Sequence, residues 1–149
     1  MTCPGANIPD LNRPIDAEMI RQFMAAEGPE LTTLGFDLEF SPEEIAGAMT
    51  SAARRYNGIP PFIGAADPNA LPAQTNIFFD GIAYELYALQ YRKLSKQDID
   101  YSAGGVSANL VTKRLNYITR LMETHRNDFE SAARDQKRIR NRNAFFRHY

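Results

Sequence analysis

Six Lys or Arg, one acid and three aromatics stand among the last sixteen residues, Arg134 to Tyr149 (RDQKRIRNRNAFFRHY). These side chains have the clearest chemical use in the chain. Guanidinium groups fork onto carboxylates, carbonyls or phosphates, and aromatic rings add contact area, so the two types concentrate binding energy at interfaces. Phe145, Phe146 and Tyr149 are therefore the candidate anchors of a docking segment, with Arg138, Arg140, Arg142 and Arg147 as its polar contacts. The same composition suits nucleic acid, because Lys and Arg gain affinity by releasing counterions and Phe or Tyr can stack on bases. The plain alternative is a frayed, solvated chain end.

Other chemistry is sparse. A nucleophile needs a base and a group to orient it, and the only histidines are His125 and His148. His125 sits at a core-like position of a long helical pattern, which reads as a hydrogen-bonded structural histidine, with Glu123 and Asp128 nearby but off its stripe. Asp98 and Asp100 could hold a hard cation, but acids alternating with apolar residues are more simply the wet face of a hairpin. Gly104-Gly105 lacks the spacing and the lysine of a phosphate loop and reads as a turn. No catalytic residue, cofactor site or metal site is assigned.

The elements that must position the docking segment follow from periodicity. Residues 1–15 (MTCPGANIPDLNRPI) hold three prolines and no period, and are expected as an extended arm or strap. Asp16 can cap a short helix whose apolar face is Met19, Ile20, Phe23 and Met24, ended by Gly28-Pro29. Ser41-Pro42-Glu43-Glu44 is a capping box with proline at the first helical position. The stripe Ile45, Met49, Ala52, Tyr56 follows it, and Asn57-Gly58 is expected to stop that helix in a left-handed conformation. Residues 59–74 hold four prolines and should cross the surface as an ordered loop. From Asn76 to about Leu94, apolar and aromatic residues fall on nearly every side, as in a helix packed all round, so this segment is placed at the centre of the bundle. Ile99 and Tyr101 alternate with acids, and Val106 and Ala108 alternate with Ser107 and Asn109 across Gly104-Gly105, which predicts a projecting hairpin near 98–109. Val111, Leu115, Ile118, Met122, His125, Phe129, Ala132, Gln136 and Ile139, spaced alternately four and three apart, then predict one long helix.

The expected fold is mainly α: a helical bundle with one long C-terminal helix, a short β-hairpin and extended N- and C-terminal arms. Its parts are an arm over 1–15, the bundle over 16–140 and a docking tail over 141–149. At 149 residues this is one domain with a sizeable core. The net charge of −1 points to no partner by itself, but its distribution does. Residues 1–50 carry nine acids against only Arg13 and Arg21, whereas the C-terminal end is basic, so the molecule is electrically polar from end to end. The acidic part would repel a polyanion unless well separated from the tail. A single cysteine, Cys3, allows no intrachain disulfide and suits a reducing cytoplasm. No apolar run approaches the roughly 20 residues of a membrane span, and the N-terminus lacks the basic and apolar regions of a signal peptide, so a soluble, unexported protein is expected.

The order of features resembles a known family. An acidic capped helix ending in ARRYNGIPPF (Ala53 to Phe62) leads to an aromatic-rich helix. The segment DIDYSAGGVSANL (Asp98 to Leu110) and a long helix with a basic, aromatic end follow. Over roughly residues 41–149 this is similar to the head-to-tail connector, or adaptor, proteins of tailed-bacteriophage necks. The resemblance implies a structural virion protein of the neck, assembled in the host cytoplasm, with no reaction catalysed. It implies a homo-oligomeric ring, usually of twelve copies, docked beneath the portal protein, with C-terminal arms inserted into the portal and DNA passing through the lumen without specific binding. Neighbouring copies and the next neck or tail component are the other implied partners, contacted in part by the hairpin residues Ile99, Tyr101 and Val106. A small nucleic-acid-binding protein that grips phosphate with its tail is the rival reading, and an enzyme whose site is not visible in the sequence is a third.

Overall fold

The computed structural model describes residues 13–26, 39–101 and 108–146, and for 97–101 and 108–111 it describes the backbone alone. Four helices run through these residues: α1 (Ala17–Ala26), α2 (Pro42–Asn57), α3 (Ile77–Tyr101) and α4 (Ala108–Phe146). The bundle is mainly α, with one long C-terminal helix. At 39 residues α4 is about 58 Å long, against about 37 Å for the 25 residues of α3.

The two short helices start where local chemistry says they should. The Met19 amide donates to Asp16 Oδ1 at 2.9 Å, and α1 buries Met19, Ile20 and Met24. At α2 the capping box is reciprocal: the Glu44 amide donates to Ser41 Oγ at 3.1 Å, and the Ser41 amide donates to Glu44 Oε2 at 3.0 Å. Its C-terminus differs from expectation. Gly58 is right-handed, at φ −79° and ψ −7°, and its N–H closes the last turn on the Arg54 carbonyl. The chain needs no left-handed residue there, because Pro60 and Pro61 follow and have no N–H to continue a helix.

Helix α3 packs against all three others and is the central element. Phe78 meets Tyr56 near the end of α2 and Lys93 pairs with Glu44 near its start, so α2 and α3 are antiparallel. Gly81 near the start of α3 meets Phe129 in the second half of α4, and α4 begins at Ala108, seven residues after α3 ends at Tyr101, so α3 and α4 are antiparallel too. One point of closest approach fixes all three. A Cβ on Gly81 would lie 2.8 Å from the Phe129 ring and 3.3 Å from the Ala52 Cβ, so only glycine lets these helices meet there. A clamp beside it ties α2 to α3: the Arg55 Nε and Nη2 donate to Glu85 Oε1 at 3.2 and 3.0 Å, while the guanidinium lies 4.7 Å over the Tyr84 ring.

The proline-rich connection between α2 and α3 is ordered, as expected, and pinned from within. Ile59, Leu71 and Ala73 are buried, and Asn57 brackets Ala66 with two hydrogen bonds. The Ile15 amide donates to the Leu71 carbonyl at 2.8 Å, which lays the chain entering α1 across this loop. The rest of the expected N-terminal arm lies outside the described residues.

Two sequence expectations are corrected. The hairpin near 98–109 does not form in the described residues: α3 stays helical through Asp98, Ile99, Asp100 and Tyr101, and α4 is already helical at Ala108 and Asn109. No strand occurs among the described residues, only an isolated bridge between Pro14 and Pro72. Four residues of alternation cannot outweigh an established helix, since each added residue gains an i→i−4 bond at no further nucleation cost. Val106 and the Gly104-Gly105 turn lie outside the described residues. The expected extended tail over 141–149 is also helical as far as Phe146. Residues 134–146 contain neither Gly nor Pro, and the Arg126–Glu130–Arg134 pairs at i, i+4 support the helix leading into them.

Candidate functional site

The last described residue of α4 to be buried is Lys137, and what lies on either side of it defines the site. Before it, the helix is held in the core by one seven-residue step and then three four-residue steps. Ile118, His125, Phe129, Ala133 and Lys137 are buried, whereas Met122, Ala132 and Gln136 of the expected stripe are half-buried and Ile139 is exposed. The alternating four-and-three spacing followed the face correctly to Phe129. Beyond it, contact with α2 and α3 continues along 129, 133 and 137.

His125 is the buried, hydrogen-bonded histidine that the pattern suggested. Its Nδ1 is 2.9 Å from Asp80 Oδ1, and the Tyr87 ring stacks on the imidazole at 5.7 Å while Phe23 meets it edge-on at 6.1 Å. Two rings and α3 enclose the pair, and His125 is 4% exposed. The partner was invisible in sequence because Asp80 is 45 residues away.

Lys137 was missed by sequence reasoning, which treated every cation of this segment as a surface group. It is 1% exposed. Its Nζ donates to the Tyr56 and Ile59 carbonyls, both at 2.6 Å, and lies 4.5 Å over the Tyr56 ring. The Tyr56 hydroxyl donates to Gln136 Oε1 at 2.6 Å. Burial holds the Lys137 ammonium below the ordinary lysine range, and the charge of Arg140 pushes the same way. Burial raises the Tyr56 phenol. This cluster anchors α4 to the C-terminal end of α2, where the last helical carbonyls need donors. The signal that could have found it is the exact four-residue step from Phe129 through Ala133, which makes 137 a core position.

After Lys137 the helix presents nine more residues, and nearly all of their side chains are exposed. Arg138, Arg142 and Phe145 follow at i, i+4 and i+7 along one face, with Ile139 and Phe146 at i and i+7 beside them. Ile139 is 52%, Phe145 67% and Phe146 74% exposed. Arg140 turns back onto the loop, with its guanidinium against Gly64, whose φ of +67° and missing Cβ leave room for it. The structure thus brings Arg138, Arg140, Arg142, Phe145 and Phe146 together on one projecting helix end. Arg147 and Tyr149 lie outside the described residues. Ile99 and Tyr101 belong to the last turn of α3, at the far end of the bundle, and so do not join this surface.

Among the described residues no group of three or more His, Cys, Asp or Glu could hold a metal ion, and no helix is long and apolar enough to cross a membrane. A depression of about 560 Å³ on α4 is lined by Lys113, Asn116, Tyr117, Thr119 and Arg120, which include no nucleophile and base in a catalytic pair. What the projecting end can do is bind: it offers the exposed Ile139, Phe145 and Phe146 beside the guanidinium groups of Arg138 and Arg142.

No family model, curated protein or solved structure matches the chain.

Proposed function

We propose that the chain is a structural protein of a tailed-phage neck, one subunit of an adaptor ring that is anchored to the portal protein by the end of α4. The observation that carries this reading is the exposure of Ile139, Phe145 and Phe146 on a helix that outruns its own bundle, flanked by Arg138, Arg140 and Arg142. Exposed apolar side chains rimmed by polar groups mark an interaction site, and the mixture suits a cleft that offers apolar walls and carbonyl or carboxylate acceptors. The likeness in feature order from Ser41 to the C-terminus supplies the identity of the partner. It now rests on the helices and the basic, aromatic end, without the hairpin.

The acidic residues of the opposite part of the chain suit a passage through which DNA slides without sticking. The ring, the next neck component and the absence of chemistry belong to the same proposal.

The test is co-expression with the portal protein encoded in the same genome. A portal–adaptor complex should form, and the double substitution Phe145→Ala, Phe146→Ala should abolish it while Arg138→Ala weakens it less, because a central aromatic anchor is worth about 2 kcal/mol or more and a rim charge less. Absence of a portal gene near this one, or a complex indifferent to the two phenylalanines, would sink the reading. If the chain instead binds DNA with an affinity that falls steeply with salt, about 0.9 in log K per log salt for each phosphate engaged, the nucleic-acid reading replaces it.

A further inference from the structure

Among the described residues five large hydrophobic side chains are exposed, and four of them, Phe62, Ile139, Phe145 and Phe146, lie on or beside the end of α4. Phe62, at 76%, is the most exposed of the five. Two contacts place it next to α4: the Ile59 carbonyl accepts from Lys137 at 2.6 Å, and the Arg140 guanidinium lies against Gly64. The loop that carries it is held in shape, because Asn57 brackets Ala66 with two hydrogen bonds and the Ile63 amide donates to the Pro61 carbonyl at 2.8 Å. An apolar ring fixed in the open beside other exposed apolar groups marks an interaction surface.

The charge around that ring is positive and uncompensated. Arg55, Lys93, Arg126 and Arg134 each pair with a carboxylate. Past Arg134 the pairing stops: among the described residues Lys137, Arg138, Arg140 and Arg142 have no acid partner, and the Lys137 ammonium is held by neutral carbonyls. Asp135 is the one acid between Arg134 and Phe146. After burial, the charge of Arg140 lowers Lys137 further, a repulsion that a carboxylate at this corner would relieve. The guanidinium groups also face different ways. Residues two apart on a helix lie about 200° apart around its axis, so Arg138 and Arg142 share one face while Arg140 turns to the loop. A nucleic-acid strand laid along one side meets one set or the other, whereas acids that flank the helix end meet all three.

We propose that loop 59–64 and the end of α4 form one docking surface for an acidic segment of another protein, with an apolar side chain of that segment on Phe62 and its carboxylates on Arg140 and, across the helix end, on Arg138 and Arg142. This rests on the reading that α4 anchors the chain to a protein partner. It adds the acidic character of that partner and a second half of the surface, contributed by residues far from the C-terminus. Guanidinium groups alone hold any polyanion; Phe62 supplies the contact that bare charge does not.

Fluorescence anisotropy with the full chain and three labelled probes tests this: a peptide alternating glutamate and leucine, polyglutamate of the same length, and a single-stranded oligonucleotide of the same charge. The glutamate–leucine peptide should bind at least about tenfold more tightly than polyglutamate. Phe62→Ala should remove that advantage and leave polyglutamate binding unchanged, while Arg140→Gln should weaken both peptides, each by about tenfold. Both variants should keep the wild-type melting temperature, since both side chains are exposed. Failure of the glutamate–leucine peptide to bind, or equal binding by Phe62→Ala and the wild type, overturns the proposal. An oligonucleotide that binds more tightly than the peptide and displaces it overturns it in favour of nucleic acid, and self-association lost in Phe62→Ala overturns it in favour of a second copy. Portal co-expression tests the neck reading separately: peptide binding that depends on Phe62, together with no portal complex, sinks the portal assignment and leaves the docking surface standing.

Discussion

Lys137 shows how far a residue's role departs from its type. Its ammonium completes the acceptor set of the Ile59 carbonyl and adds a second donor to the Tyr56 carbonyl, which already accepts from the Ile59 amide at 3.1 Å. Lys137→Ala removes both bonds and the packed stem, and should destabilise the fold by about 3 kcal/mol in urea unfolding, whereas Lys137→Met keeps the stem and should cost about 1–2 kcal/mol. Equal costs would mean that the two hydrogen bonds contribute nothing. Two glycines give a sharper contrast. Gly81→Ala pushes a methyl into the Phe129 ring and should cost about 1–3 kcal/mol, while Gly47→Ala enters empty space and should gain about 0.5–1 kcal/mol. Matched melting curves of the two variants check the pair, and the opposite order would contradict the packing described for α2, α3 and α4.

At the level of elements, α2 is held at its start by chemistry within four residues and at its end by residues 80 further on. Ser41→Ala should therefore cost about 1 kcal/mol through the cap alone, leaving the Lys137 cluster intact. Glu44 adds a pH dependence. The hydrogen bond from Lys93, at 2.5 Å, and then that from the Ser41 amide hold its carboxyl below the ordinary value of 4.5. A depressed folded-state value means stability that is present above 4.5 and is lost as pH falls through the lowered value. Between about pH 6 and pH 3, Glu44→Gln should therefore lose melting temperature less steeply than the wild type. Identical acid limbs would show that the Lys93 pair is open in solution.

For the whole molecule, the bundle and the projecting end of α4 should separate cleanly. Burial stops at Lys137, so deletion of 143–149 should shift the melting temperature by no more than about 3 °C while removing the exposed Phe145 and Phe146. A larger loss would mean that the last residues fold back on the bundle.

Sequence alone determined what is settled over three or four residues: the Asp16 cap, the Ser41–Glu44 box and the apolar face of α1. It also marked the cations and aromatics of the C-terminal end, because residue type needs no fold to be read. Local pattern failed where two short signals competed. Alternation over 98–101 suggested a strand, and propagation of α3 won. Tertiary structure alone decided the partners that lie 45 to 81 residues apart: Asp80 on His125, and Lys137 on the Tyr56 and Ile59 carbonyls. It also decided that Gly81 is a contact point and Gly47 an opening, two roles for one residue type in helix interiors. A period of 3.6 states which side of a helix is inward, but which atom waits there is set by the helix that packs against it.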